Sequence, residues 1–303
     1  MQKFKKEQIR ALEDGALIMN HFDSEVKLAV SGVYDRLIKK HWAFTSMPGV
    51  SKTTKIITIL SKSGLNYHMV TGKKSMRDFL YQLCFLVDQY KPTKENPLII
   101  FIDDCEFLFA DNENMNVFKV MIGTQQTATW SNNAALEGVK KLPSEMQKSI
   151  LKHRLKSSEG FEFSTKNVHF IIASNIKFPT EDEAARKQAT QPGKTADKLV
   201  SKAAIGDRMN TYHIDFNSWE EQWGFVANEI IENPNFANGE FQFSLEEREQ
   251  MIKFTWDNFH QLKSKSFRCY EGLAQDMLRY SDTYLDKWNS SAHLDISYHK
   301  NKK

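Results

Sequence analysis

Leu98-Ile99-Ile100-Phe101-Ile102 is followed at once by Asp103 and Asp104. Five consecutive apolar residues leave no polar face, so a strand made of them has to be covered on both sides. That demand predicts an α/β protein, with a parallel sheet between two layers of helix. Two adjacent carboxylates closing such a strand are costly to desolvate unless a cation stands beside them. The strand therefore predicts a buried sheet with a cation-ready acidic end.

Upstream, Ser46-Met47-Pro48-Gly49-Val50-Ser51-Lys52-Thr53-Thr54 follows the apolar run Trp42-Ala43-Phe44-Thr45 and precedes Lys55-Ile56-Ile57-Thr58-Ile59-Leu60. Strand, tight turn and helix start form the setting of a phosphate-binding loop. Free N–H groups and the positive end of the helix dipole hold an anion there. In the pattern G-x-x-x-x-G-K-[ST], the Lys reaches the β- and γ-phosphates and the hydroxyl ligates Mg²⁺. Lys52 and Thr53 fall at those places, and Ser46, Pro48, Gly49, Val50, Ser51 and Thr54 complete the candidate ATP-binding segment. Both fixed glycines are replaced, by Ser46 and Ser51, and Gly49 supplies the turn. Thr53 and Asp103 are the candidate Mg²⁺ pair, because a strand-end Asp and a loop hydroxyl hold the ion in such sites.

The spacing between the two motifs leaves room for one helix, one strand and another helix. Asn66-Tyr67-His68-Met69-Val70 reads as the intervening strand, and Ser75 with Asp78 three residues on reads as the N-cap of a helix to Tyr90. Val168-His169-Phe170-Ile171-Ile172-Ala173 is another strand buried on both faces, and Ser174-Asn175 ends it. Thr127-Ala128-Thr129-Trp130 and Phe161-Glu162-Phe163 read as extended, 181–206 as a charged helical stretch, and Tyr212 to Phe216 as the last strand. Residues 4–40 read as two amphipathic helices, and everything from Trp219 onward reads as helical.

These motifs, in this order, resemble an AAA+ ATPase module over roughly residues 26–285. The resemblance rests on Pro48 to Thr53, Ile99 to Asp104, Phe170 to Asn175, and Ala204-Ile205-Gly206-Asp207-Arg208-Met209. It implies a three-layer parallel sheet with a C-terminal all-helical lid. Residues 1–40 would lead into the ATPase core, 41–217 would form the nucleotide-binding domain, and 218–303 the lid. It also implies a homo-oligomeric ring, expected to be a hexamer, with ATP at subunit interfaces. Asn175 resembles the polar sensor that orients attacking water, Arg208 the arginine finger for a neighbour's γ-phosphate, and Arg268 the lid's second sensor. Arg186 and Arg279 are weaker claimants.

Asp104 stands where most members carry the Glu that activates water, and it is shorter by one methylene. Glu106 is the alternative base. Asp103-Asp104 and Ser174-Asn175 are also similar to viral superfamily 3 helicases, but the longer gap between those motifs argues against a plain member of that group. The compact single module resembles bacteriophage-encoded members as well.

Composition narrows the partners. The net charge is +3, so any contact with nucleic acid has to come from a local patch. Lys73 and Lys74, in the loop that often lines the ring's pore, are the candidates, since lysines suit phosphates and no threading aromatic is present there. The three cysteines, Cys84, Cys105 and Cys269, lack metal-type spacing and fit a reducing compartment. With no signal-peptide core and no apolar run of about 18 residues, the chain is expected in the cytoplasm (a host's, if viral). The functional expectation is an ATP-hydrolysing motor or switch acting on nucleic acid or a nucleoprotein assembly. A protein remodeller and a low-turnover assembly scaffold are the alternatives.

Overall fold

The computed structural model describes residues 4–32, 41–72, 74–104, 106–131, 136, 138–156, 160–234, 236, 241–280, 282–290 and 292–295. The chain begins with α1 (Lys6–Ser31). It then alternates through β1 (Trp42–Ser46), α2 (Lys52–Lys62), β2 (Asn66–Val70), α3 (Met76–Tyr90) and β3 (Leu98–Asp103). An excursion follows, made of α4 (Asn112–Ile122), β4 (Thr127–Trp130), α5 (Ser144–Lys152) and β5 (Phe161–Ser164). The chain returns through β6 (Val168–Ser174), α6 (Glu181–Thr190), α7 (Lys194–Arg208) and β7 (Asn210–Ile214). It ends in α8 (Trp219–Glu232), α9 (Leu245–Asn258), α10 (Phe267–Arg279) and α11 (Tyr284–Trp288).

Burial on both faces decides the strand order. The five-stranded sheet runs β2-β3-β6-β1-β7. The β2–β3, β3–β6 and β6–β1 pairs are parallel. β3 and β6 occupy inner places, and Leu98 through Ile102 are fully buried. The edge strand β2 is only half-buried along most of its length. The expected α/β class, parallel sheet and helical C-terminal region are therefore all present. β4 and β5 form a separate antiparallel pair.

Local chemistry sets the helix ends. Ser75 caps α3 as expected, its Oγ accepting the Asp78 N–H at 3.1 Å. The charged stretch over 181–206 is two helices instead of one, because Pro192 lacks a donor and Gly193 takes a φ of 143° between them. The two amphipathic helices expected over 4–40 are replaced by the single helix α1, with residues 33–40 outside the described residues. Its buried stripe continues without a break through Leu12, Met19, Phe22 and Val26, at the spacing of one continuous helix.

The described residues fall into two units. Those within Glu25–Ser46 and Thr53–His213 form the α/β unit. Those within Met1–Ser24, Met47–Lys52 and Ile214–Lys303 form the helical unit. The N-terminal segment expected to lead into the α/β core thus sends its first part to the C-terminal helices instead. The reason is a glycine crossing: a Cβ on Gly15 would lie 2.2 Å from the Gly224 carbonyl carbon, and one on Gly224 would lie 1.8 Å from Ala11 O. Asn228 Nδ2 donates to Leu12 O at 2.6 Å and ties α8 to α1 at the same place. Two buried indoles of this unit find partners inside it, Trp223 Nε1 donating to Thr255 Oγ1 at 3.1 Å and Trp288 Nε1 to Leu273 O at 3.0 Å. Gly224→Val should destabilise the protein by about 3 kcal/mol through overpacking, read from the urea midpoint. A midpoint equal to the parent's would show that the two backbones do not meet.

Candidate nucleotide site

In the α/β unit, three adjacent parallel strands end together. Register pairs Asp103 with Ala173 and Thr45 with Ser174. The next residues, Asp104, Asn175 and Ser46, therefore follow the same edge of the sheet. Thr53, in the first turn of α2, donates its Oγ1 hydrogen to Asp103 Oδ1 at 2.8 Å. A hydroxyl that gives its proton to a carboxylate keeps its lone pairs for a cation. Together the two side chains offer the hard oxygens that Mg²⁺ prefers.

Asp104 leaves the strand geometry. Its φ is 52°, it is exposed, and its N–H donates to Ala173 O at 3.3 Å. A left-handed non-glycine residue costs roughly 1 kcal/mol or more, and Asp is among the residues that tolerate it best. Asn175 is exposed directly beyond β6, where Ser174 Oγ accepts the Ile176 N–H at 3.0 Å and turns the chain. Glu106 opens the short helical turn Glu106–Phe109, and its side chain lies outside the described part.

In the helical unit, the loop Met47–Lys52 carries two left-handed residues, Gly49 at φ 78° and Ser51 at φ 56°. Ser46 is extended at the end of β1 and needs no glycine. Ser51 adopts the conformation that the usual glycine would take without strain. Gly49 has a second reason to be glycine, since a Cβ there would lie 2.3 Å from Ser266 Cβ. Its carbonyl accepts the Phe267 N–H at 2.8 Å, giving a partner to one of the orphan amides at the start of α10. Lys52 is buried at 7% exposure with Nζ 3.4 Å from Met47 O, and Val50 is buried too, whereas Pro48 is exposed. Thr54, at the start of α2 in the α/β unit, is exposed. Gly49→Val should cost about 2–3 kcal/mol, by overpacking and backbone strain together, read from the urea midpoint. A variant that keeps parental stability would show that loop and helix are not in contact.

Arg268 is exposed in the first turn of α10, near Glu271. Burial raises the Glu271 carboxyl above its usual range and the Arg268 charge partly opposes this.

Arg208 ends α7 and is exposed, with Nη1 donating to Ala204 O at 2.5 Å. Nearby, Asn210 N donates to His41 O, at the start of β1. Arg208 thus sits at the opposite edge of the sheet from Asp103, on the order of 16 Å away along a five-residue strand. There it borders a cavity of about 760 Å³ together with His41, Lys119 and Asp207. Burial, and then the Arg208 charge, lower the pKa of Lys119. Sequence reading had missed Lys119, and nothing in its local sequence marks it.

Lys74 is held rather than free. Its Nζ donates to Gln82 Oε1 at 2.5 Å, and Gln82 Nε2 lies 2.6 Å from His68 Nε2. Burial, followed by the Lys74 charge, lowers the His68 pKa. Lys73 lies outside the described residues, as does Cys105. Cys84 and Cys269 are buried, and burial pushes both thiols up to about 12. Among the described residues no helix is long and apolar enough to cross a membrane.

No protein-family model matches the chain, and no curated protein matches it in sequence. Among solved structures, domain III of the replication initiation protein DnaA from Thermotoga maritima is similar at 14% identity, with a TM-score of 0.39. That match covers 86% of this chain and 83% of the DnaA domain.

Proposed function

We propose that this chain binds ATP with Mg²⁺ and hydrolyses it as a ring-forming motor or switch acting on nucleic acid or a nucleoprotein assembly. The observation that carries the reading is the 2.8 Å bond from Thr53 Oγ1 to Asp103 Oδ1, which joins two motifs fifty residues apart. In this reading the loop amides from Gly49 to Lys52 and the Lys52 ammonium take the β- and γ-phosphates. Thr53 and Asp103 hold the cation, which when bound neutralises charge on the phosphate oxygens. Asp104 accepts a proton from water, and Asn175 orients that water. Arg208 serves a neighbouring subunit, since it lies at the wrong edge of the sheet for its own Asp103.

A second reading, an assembly scaffold with slow turnover, is favoured by one feature. Asp104 is a short, exposed carboxylate on a left-handed backbone. Titration of a fluorescent ATP analogue with and without Mg²⁺, beside a phosphate-release assay, tests both readings. Thr53→Ala should lose the Mg²⁺-dependent part of the binding. Asp104→Asn should keep parental binding and lose roughly 10²–10⁴-fold in turnover, the range of a general base. Parental turnover in Asp104→Asn would remove Asp104 as the base. Binding that is indifferent to Mg²⁺ in the parent would remove the Thr53–Asp103 site.

A further inference from the structure

The positive charge of this protein is concentrated in the excursion between β4 and β5. Residues 136–156 hold six basic residues, Lys140, Lys141, Lys148, Lys152, Arg154 and Lys156, against Glu137 and Glu145, a net +4. The whole chain is +3, so the other 282 residues sum to −1. All six basic side chains are exposed. α5 is anchored from beneath, with Ile150 fully buried and Ser149 Oγ donating to Asp88 Oδ2 on α3 at 2.9 Å. That anchoring turns Lys148 and Lys152 outward, one helical turn apart. Lys152 pairs with Asp88 and Lys148 with Glu145. Among the described residues Lys140, Lys141, Arg154 and Lys156 have no carboxylate partner.

We infer that this excursion is a nucleic-acid surface that grips the phosphate backbone without reading bases. The inference rests on the nucleic-acid partner of the proposed function, and not on ATP turnover. Residue chemistry selects the partner. A protein partner is met by aromatic and Arg anchors, and Lys is depleted there. Five of the six cations are Lys, and Leu151 is the one large apolar side chain exposed among the described residues of the segment. A membrane surface would need an apolar helix face turned outward, and the apolar face of α5 is the one buried against α3. No Phe, Tyr or Trp lies within 136–156 to stack on bases, and the His153 ring is held by Asp88 and Phe163. What remains is charge against charge, which is sequence-independent and steeply salt-dependent. The surface is distinct from the Lys73–Lys74 loop, where Lys74 Nζ donates to Gln82 Oε1.

The test is fluorescence anisotropy of the full chain with a labelled single-stranded oligonucleotide across a salt series, with no nucleotide added. Lys140→Ala/Lys141→Ala/Lys156→Ala should make the log–log salt slope less negative by about 2 and weaken binding roughly tenfold or more at low salt. The triple Lys→Arg variant should bind like the parent. A charge-matched control, Lys62→Ala/Lys94→Ala/Lys177→Ala, should leave the slope unchanged. Lys52→Ala should also bind the oligonucleotide normally, so failure of the ATP reading would not touch this result. A parent that binds no oligonucleotide would end the nucleic-acid reading as a whole. A parent that binds while the triple Ala variant matches it, or while the control or a Lys73→Ala/Lys74→Ala variant loses as much, would overturn this surface alone. Anionic vesicles bound as tightly as the oligonucleotide would overturn it in favour of a membrane.

Discussion

Lys52→Ala protein should show no saturable ATP binding at concentrations that saturate the parent. Lys52 is the one lysine of the loop, it is buried at 7% exposure, and its Nζ turns back toward Met47 O at a long 3.4 Å. A buried cation loses hydration, and a phosphate group offers it a charge-assisted hydrogen bond that a neutral carbonyl does not. In the proposed site, removing it takes away the one side-chain cation of the loop. Calorimetric or fluorescence titration reads the result, with thermal denaturation confirming that the variant folds. Parental affinity in a folded Lys52→Ala protein would place the nucleotide elsewhere.

Arg208→Ala should bind ATP nearly as the parent does and turn over about 10³-fold or more slowly, as expected for a missing arginine finger. The reason is position: Arg208 ends α7 at the sheet edge opposite Asp103 and Asp104, so it cannot serve the site of its own chain. Mixing Arg208→Ala with Lys52→Ala should then restore part of the activity. The first protein keeps an intact loop, and the second still donates Arg208 to it. Specific activity of the parent should also rise with protein concentration until assemblies fill. Activity independent of concentration, or no rescue where mixed assemblies are shown to form, would remove the trans-acting arginine.

Residues with no freedom to be elsewhere were the ones whose places could be read in advance. Leu98 to Ile102 had to be buried on both faces, and they lie in an inner strand. Ser75 followed by Asp78 had one sensible use, as a helix cap, and that is its use. The paired motif of Thr53 and Asp103 was legible because each is chemically incomplete without the other. Tertiary contacts hid the rest. No local pattern shows that Gly49 abuts Ser266, that Gln82 takes Lys74, or that Gly15 and Gly224 draw α1 to the C-terminal helices. Ser51 was opaque for another reason, since a serine carries no sign that its backbone will be left-handed. The charge of the excursion was visible in the sequence, but only its anchoring on α3 shows that the cations face outward.

The bond between Gly49 O and Phe267 N–H has a consequence for how occupancy could be communicated. A phosphate group that reshapes the loop moves the acceptor on which the first turn of α10 depends. Such coupling is reciprocal in free energy. Substitutions that alter the start of α10 should shift nucleotide affinity without touching nucleotide, and nucleotide should change the hydrogen-exchange protection of the Phe267 amide by the same coupling. Because both partners are main-chain atoms, this link survives side-chain drift at either end, and only an imino acid at 267 removes its donor.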